Sequence, residues 1–281
     1  MNGFNSVSPS AETPTLAVHD LGGTGSTILY AHATGFHARC WQPIADRLGD
    51  HHNIAYDARG HGDTPSDPRL TADWETHGAD ATTVAATLQH DGPVLGVGHS
   101  MGGAALLMAA IAEPHLFRGL IVYEPIVMPP DLEPGGGGGN FLAIGARKRR
   151  STFASFDDAI ANYISKPPLD VFDPECMQAY VRGGFTMGAD GRVHLKCQPE
   201  HEARTYEAGG NHRTWGRLHE LQLPVWVLCG LPQPMQPSSR TAALAEQIPG
   251  AKYIELDHLG HFGPMQSPSD IAEIIALFPE L

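Results

Sequence analysis

"GHSMGG", residues 98–103, is the stretch on which the rest of the chain turns. It follows the apolar run 93–97 and leads into 104–112, a run of small and apolar helix formers. A serine between glycines at a strand-to-helix switch has a physical reading. Gly98 and Gly102 leave room for a tight turn that lifts the Ser100 hydroxyl above the sheet, and Gly103 lets the helix approach the strand. The amino end of the new helix offers free N–H groups and partial positive charge where an oxyanion would form. The bland reading is an incidental serine in a glycine-rich turn. The strand-to-helix setting favours Ser100 as a nucleophile.

Working outward, the chain of 281 residues is long enough for a full core and reads as one domain with room for an insertion. With 42% apolar and 17% charged residues it has the composition of a soluble globular protein. A net charge of −13 argues against nucleic acid or an anionic membrane as partner, since either calls for a basic face. The first fifteen residues lack the basic and apolar regions of a signal peptide, so a cytoplasmic location is expected. No apolar run reaches the roughly 20 residues that cross a bilayer. Four cysteines (Cys40, Cys176, Cys197, Cys229) lie far apart and read as free thiols. Sixteen histidines invite a metal reading, but neither an H-E-x-x-H pattern nor the adjacent pair His51 and His52 supplies ligand spacing. No metal or cofactor is expected, and the sequence leaves the oligomeric state open.

Short runs rich in Val, Ile, Leu and Tyr recur at 26–31, 53–56, 94–97, 120–123, 225–229 and 252–256. Helical patterns fall at 41–48, 77–89, 102–113, 238–248 and 269–278. Apolar strand runs alternating with helices predict an α/β fold, a mostly parallel central sheet covered on both faces. Residues 128–223 break the alternation: Pro129-Pro130, five glycines at 135–139, the basic run 147–150, then helical patterns at 156–165 and 174–181. About 95 residues is too long for a loop, so this stretch reads as a helical lid over the carboxyl edge of the sheet. The core is then 1–127 and 224–281. The glycine run reads as a flexible entry to the lid; as a phosphate cradle it lacks the Lys-Ser/Thr of a P-loop. The basic run reads as a solvated helix face, with an anionic substrate or partner as the alternative.

Three further stretches complete a resemblance. "HATGFHARCW" (32–41) follows the strand ending at Ala31, "DARGHGDTP" (57–65) follows the next, and "GHFGPMQSP" (260–268) lies near the C-terminus. With GHSMGG they resemble the α/β-hydrolase family over nearly the whole chain outside the lid. One departure is Ala33, where the family's oxyanion loop usually has glycine. The resemblance implies Ser100 as nucleophile and His261 as the base that takes and returns its proton. His258, three residues earlier, is a rival without the Gly-His-Phe setting. The oxyanion hole would use the backbone N–H groups of Met101 and Thr34. Phe36, His99, Val127 and Phe262 are expected beside the substrate, with His99 and His32 shaping turn and loop rather than carrying protons.

The third member departs from the pattern. In the family the acid usually follows the strand after the lid, yet that strand here, "VWVLCG", runs into "LPQP", leaving Gln233 in the acid's place. An amide cannot carry the charge that stabilises an imidazolium. Glu124 ends the strand after the one presenting Ser100, and adjacent strands lie roughly 4.8 Å apart, so it is within reach of the same histidine. "IVYEPIVMPP" also resembles some haloalkane dehalogenases, which place their acid there, although their aspartate nucleophile is absent. The alternative is a Glu124 that caps the lid entrance. Asp257 and Glu255 are weaker rivals.

Such a set performs acyl transfer to water through an acyl-enzyme. The lid would add apolar lining from Phe141, Phe153, Tyr163, Phe172, Met177, Phe185 and Met187, unless these are lid core. The expected substrate is a small-to-medium, largely apolar ester, with lactone or thioester as options. A carbon–carbon hydrolase, a cofactor-free perhydrolase and a catalytically slow ligand-binding member of the fold remain as alternatives.

Overall fold

The computed structural model describes residues 5–7, 15–65, 73–130 and 140–279. Its frame is an eight-stranded sheet of β1 (Asn5–Val7), β2 (Leu16–Gly22), β3 (Thr27–Ala31), β4 (His52–Tyr56), β5 (Val94–His99), β6 (Phe117–Tyr123), β10 (Val225–Gly230) and β11 (Lys252–Leu256). The order across the sheet is β1-β2-β4-β3-β5-β6-β10-β11. Strands β3, β4, β5, β6, β10 and β11 run parallel, while β2 pairs antiparallel with both β1 and β4.

Alternation along each strand explains the two-sided core. In β3, Leu29 and Ala31 face one layer while Ile28 and Tyr30 face the other, and all five residues of the strand are buried. A strand covered on both faces reads as an unbroken apolar run. The first layer holds α2 (Trp74–Thr87), α3 (Met101–Ala112) and α8 (Ser238–Glu246); the second holds α1 (Gln42–Ala45) and α10 (Pro268–Ala276). Helix α2 starts where the Asp73 side chain accepts from the Thr76 N–H, which satisfies one of the donors a helix start leaves free.

Between β6 and β10 lie α4 (Phe141–Arg147), α5 (Phe156–Ile164), α6 (Pro174–Gly184) and α7 (Pro199–Ala208). They are accompanied by β7 (Thr152–Phe153), β8 (Phe185–Met187) and β9 (Val193–Leu195), an antiparallel sheet ordered β7-β9-β8. The expectation of a helical segment is corrected to helices plus a small sheet, none of it part of the central one. Strands of two or three residues carry too little alternation to be read as a period. This segment has its own core of Phe153, Tyr163, Phe172, Met177, Val181 and Phe185, which also takes in Ala33, Phe36 and Cys40 from the loop after β3. Its helices α5 and α6 open on capping residues, Ser155 and Asp173. The glycine run 135–139 lies outside the described residues. Short α9 (Gly263–Gln266) links the last loop to α10.

Candidate active site

Ser100 stands between β5 and α3 with φ +54° and ψ −114°, a strained backbone for a residue with a Cβ. The turn is over-determined. The Ser100 N–H donates to Tyr123 O at 3.0 Å, and its carbonyl accepts from Ala104 and Ile126 N–H. A Cβ on Gly98 would lie 2.7 Å from Gly103 Cα, and one on Gly102 would lie 2.2 Å from Ala31 O. Both glycines are therefore sterically required, as the strand-to-helix reading demands. Among the described residues the Ser100 hydroxyl has no hydrogen-bond partner; such contacts often form only once substrate is bound.

Glu124 follows β6, the strand paired with β5, so it arrives at the same sheet edge as Ser100. It too has a positive φ, +41°. Its side chain is fully buried, and each oxygen has a donor: His261 Nδ1 lies 2.7 Å from Oε2, and Gly230 N–H donates to Oε1 at 2.9 Å. A carboxylate only accepts, so the proton sits on Nδ1 and Nε2 is left as the basic nitrogen. Burial pushes the neighbouring Cys229 thiol up to about 11, so no second charge competes there. Gln233 is exposed, its N–H capped by Ser238 Oγ at 3.1 Å. The rivals sit elsewhere: His258 pairs with Asp270 at 2.7 Å and with Asp257 at 3.7 Å, and Glu255 meets the Tyr253 hydroxyl. The structure brings Glu124 and His261 together and leaves Asp257 and Glu255 apart from them.

Thr34 and Met101 also meet, the Thr34 hydroxyl donating to Met101 Sδ at 3.3 Å. As the first residue of α3, Met101 has a backbone N–H with no intrahelical acceptor. His32 ties this loop to the next, its Nδ1–H donating to Ala33 O at 2.8 Å while its Nε2 accepts from Ala58 N–H at 2.9 Å. Burial lowers its pKa, which keeps the accepting lone pair available. Asp57 anchors the same pair of loops by accepting from Ala38 N–H, Asp63 N–H and His19.

Phe36, His99 and Phe262 gather around His261. Phe36 lies 6.0 Å from His99 and 5.8 Å from Phe262 between ring centroids, and His99 lies 5.0 Å from His261. Phe172 and Tyr180 complete the aromatic wall, at 5.9 and 5.2 Å from Phe36. Val127 is not among them: it packs in the core layer on the α2 and α3 side. Of the expected lining, Phe141 and Met187 are 66% and 55% exposed, so they are neither wall nor core. The basic run is also corrected. Helix α4 ends at Arg147, which pairs with Glu200 and Glu207 at the surface, but Arg149 turns inward to Glu202 at 2.7 Å and to the Tyr180 hydroxyl. Missed at the sequence level were Gly230, whose amide holds the carboxylate, and Tyr123, whose hydroxyl donates to Gly260 O at 2.7 Å. Only the pairing of adjacent strand ends could have pointed to them.

Among the described residues, His19, Asp57 and Asp63 have donor atoms close enough to share a metal ion. Those atoms are already committed: Asp57 Oδ2 to His19 and the Asp63 N–H, and Asp63 Oδ1 to Lys196 at 2.6 Å. No helix among the described residues is long and apolar enough to cross a membrane.

The chain is similar to known proteins in sequence and in fold. Residues 28–274 match the model of the alpha/beta hydrolase family. Lipase LipV of Mycobacterium tuberculosis is 37% identical over 102 residues, covering 36% of this chain and 37% of that protein. Monoglyceride lipase of Rattus norvegicus is 30% identical over 112 residues, covering 38% of this chain and 37% of its own length. The chain thus spans little more than a third of either lipase. A solved E-2-(acetamidomethylene)succinate hydrolase superposes with a TM-score of 0.80 at 20% identity, covering 98% of this chain and 99% of its own, a likeness of fold. With the family match running from β3 into α10 and the turn, sheet and loops in the places described, the chain belongs to the alpha/beta hydrolase family.

Proposed function

We propose that the chain is a serine hydrolase that cleaves a small-to-medium, largely apolar ester, or the related lactone or thioester, through an acyl-enzyme on Ser100. The observation that carries this reading is the 2.7 Å contact between His261 Nδ1 and a buried Glu124, at the sheet edge where Ser100 is raised. In the first half-reaction His261 Nε2 takes the Ser100 proton as Oγ attacks the carbonyl carbon. Glu124 fixes the tautomer and stabilises the imidazolium. The N–H groups of Met101 and Thr34 receive the oxyanion, and the imidazolium returns its proton to the leaving alcohol. Water then repeats the sequence on the acyl-enzyme and releases the acid.

Residues 140–223 act as a cap over this edge, and the aromatic wall of Phe36, Phe172, Tyr180 and Phe262 favours an uncharged, apolar acyl group. The names of the lipase relatives agree with ester chemistry. A fluorophosphonate probe, followed by a panel of p-nitrophenyl esters of increasing chain length and of lactones, tests the reading. Labelling confined to Ser100, with turnover on at least one short or medium ester, is expected. A folded protein that the probe does not label is a binding module, and the proposal fails.

A further inference from the structure

Ser100 and Glu124 continue directly from paired strands, whereas His261 sits on a loop beyond β11 and outside any strand. That loop has to be fixed relative to the other two. His99 Nε2 lies 2.8 Å from the carbonyl oxygen of His261, and the Tyr123 hydroxyl donates to the carbonyl of Gly260 at 2.7 Å. A carbonyl only accepts, so His99 Nε2 carries its proton and is the donor. His99 is the residue before Ser100, and Tyr123 is the residue before Glu124. The two are direct partners in the β5–β6 register, with rings 5.8 Å apart. We infer that His99 and Tyr123 are positioning residues that hold the peptide on either side of His261 and so seat its imidazole between Ser100 and Glu124. This rests on the reading of the site given above.

Both side chains suit that role and little else. His99 is 1% exposed, and burial followed by the nearby His261 charge depresses its pKa, so it stays a neutral donor rather than a second base. Burial raises the Tyr123 pKa, which keeps its hydroxyl protonated. The loop is shaped around that hydroxyl: a Cβ on Gly263 would lie 2.1 Å from it. Inside the loop, Gly260 N–H donates to Gln266 Oε1 at 2.8 Å and Gly263 N–H to Gly260 O at 2.9 Å, so the bend is stiff and the two side chains place it as a unit. Catalytic geometry is unforgiving, a misplacement of about 1 Å costing about 10²-fold.

The test compares Tyr123→Phe, His99→Leu, His99→Gln and the Leu/Phe double variant with the wild type and with His261→Ala. The readouts are kcat and KM for the best p-nitrophenyl ester, the rate of fluorophosphonate labelling, and the labelled end-point, which counts intact sites. Per intact site, kcat and labelling rate are expected to fall about tenfold in Tyr123→Phe and His99→Leu and about 10²-fold in the double variant, with KM nearly constant. His99→Gln restores an N–H donor and should recover most of the loss. A purely structural role would reduce the number of intact sites or the melting temperature and leave the rate per site unchanged. Wild-type rates per site in the double variant, or a Gln variant no better than Leu, would overturn the inference while His261→Ala stays inactive. Full turnover in His261→Ala would instead remove the underlying reading of the site.

Discussion

Replacing Glu124 by glutamine keeps the shape of the side chain and removes its charge, and the two contacts of the carboxylate dictate the outcome. Both oxygens accept, one from His261 Nδ1 and one from Gly230 N–H. Glutamine has one acceptor and one donor to offer. With its oxygen on Gly230, the amide NH2 meets His261 Nδ1, which must become the acceptor; the ring proton then moves to Nε2, and Ser100 faces a nitrogen that cannot take its proton. With the amide flipped, His261 keeps its tautomer, but a buried NH2 opposes the Gly230 N–H, at a cost of about 1–3 kcal/mol. That restricts the productive form to roughly one molecule in 5 to 150, and the imidazolium still lacks its counter-charge. The combined loss in kcat should be about 10³- to 10⁴-fold, less than for Ser100→Ala. The assay is steady-state hydrolysis of a p-nitrophenyl ester, with thermal unfolding as a control on the fold. Gln233→Asp alone should leave turnover nearly unchanged, since that position is exposed and outside the contact. A Glu124→Gln variant within tenfold of wild type would show that the Glu124 charge does not support His261.

Three other perturbations have outcomes set by the structure. Burial lowers the His37 and His77 pKa values to about 4 and about 3, against about 6.5 in the unfolded chain, so the unfolded state binds more protons between those values and stability falls on acidification; from pH 7 to pH 5.5 the two together should remove about 2.5 kcal/mol, and a urea-unfolding free energy independent of pH over that range would contradict it. Arg149→Leu leaves Glu202 buried without its cation and should cost about 3–5 kcal/mol, whereas Arg149→Leu with Glu202→Leu should regain most of it; equal losses in both variants would contradict the buried pair. Gly102→Ala forces a Cβ to within 2.2 Å of Ala31 O, so its melting temperature should drop by more than about 5 °C with loss of activity, and a fully stable, active variant would show the turn to be looser than described.

The parts of the site that were legible in the sequence are those whose demands are local or topological. The glycines at 98 and 102 announce the turn because each is needed by a contact within or beside it. Glu124 was legible through a mismatch: an amide at position 233, and a carboxylate ending the strand next to Ser100. Long-range packing was not legible. Strand β2 carries His19 and Asp20 and ends on Gly22, so its sequence resembles a loop, although its antiparallel pairing with β1 and β4 makes it a strand. Arg149 belongs to a run of four basic residues, and nothing local says that α4 stops at Arg147 and turns the second residue after it inward. Tyr123 reads as one more core aromatic until β6 is placed beside the loop it binds. Val127, expected beside the substrate, packs instead in the core layer with α2 and α3.

The proposed activity requires Ser100 to form a covalent acyl intermediate with His261 as its base. Acid-quenching the protein during turnover of a p-nitrophenyl ester, then mapping the adduct by peptide mass spectrometry, tests this most directly. Acyl mass on the peptide containing Ser100 and a burst of nitrophenol matching the number of sites are expected, and neither in Ser100→Ala or His261→Ala. Turnover of the ester without acyl mass on Ser100, or an undiminished burst in His261→Ala, would contradict it.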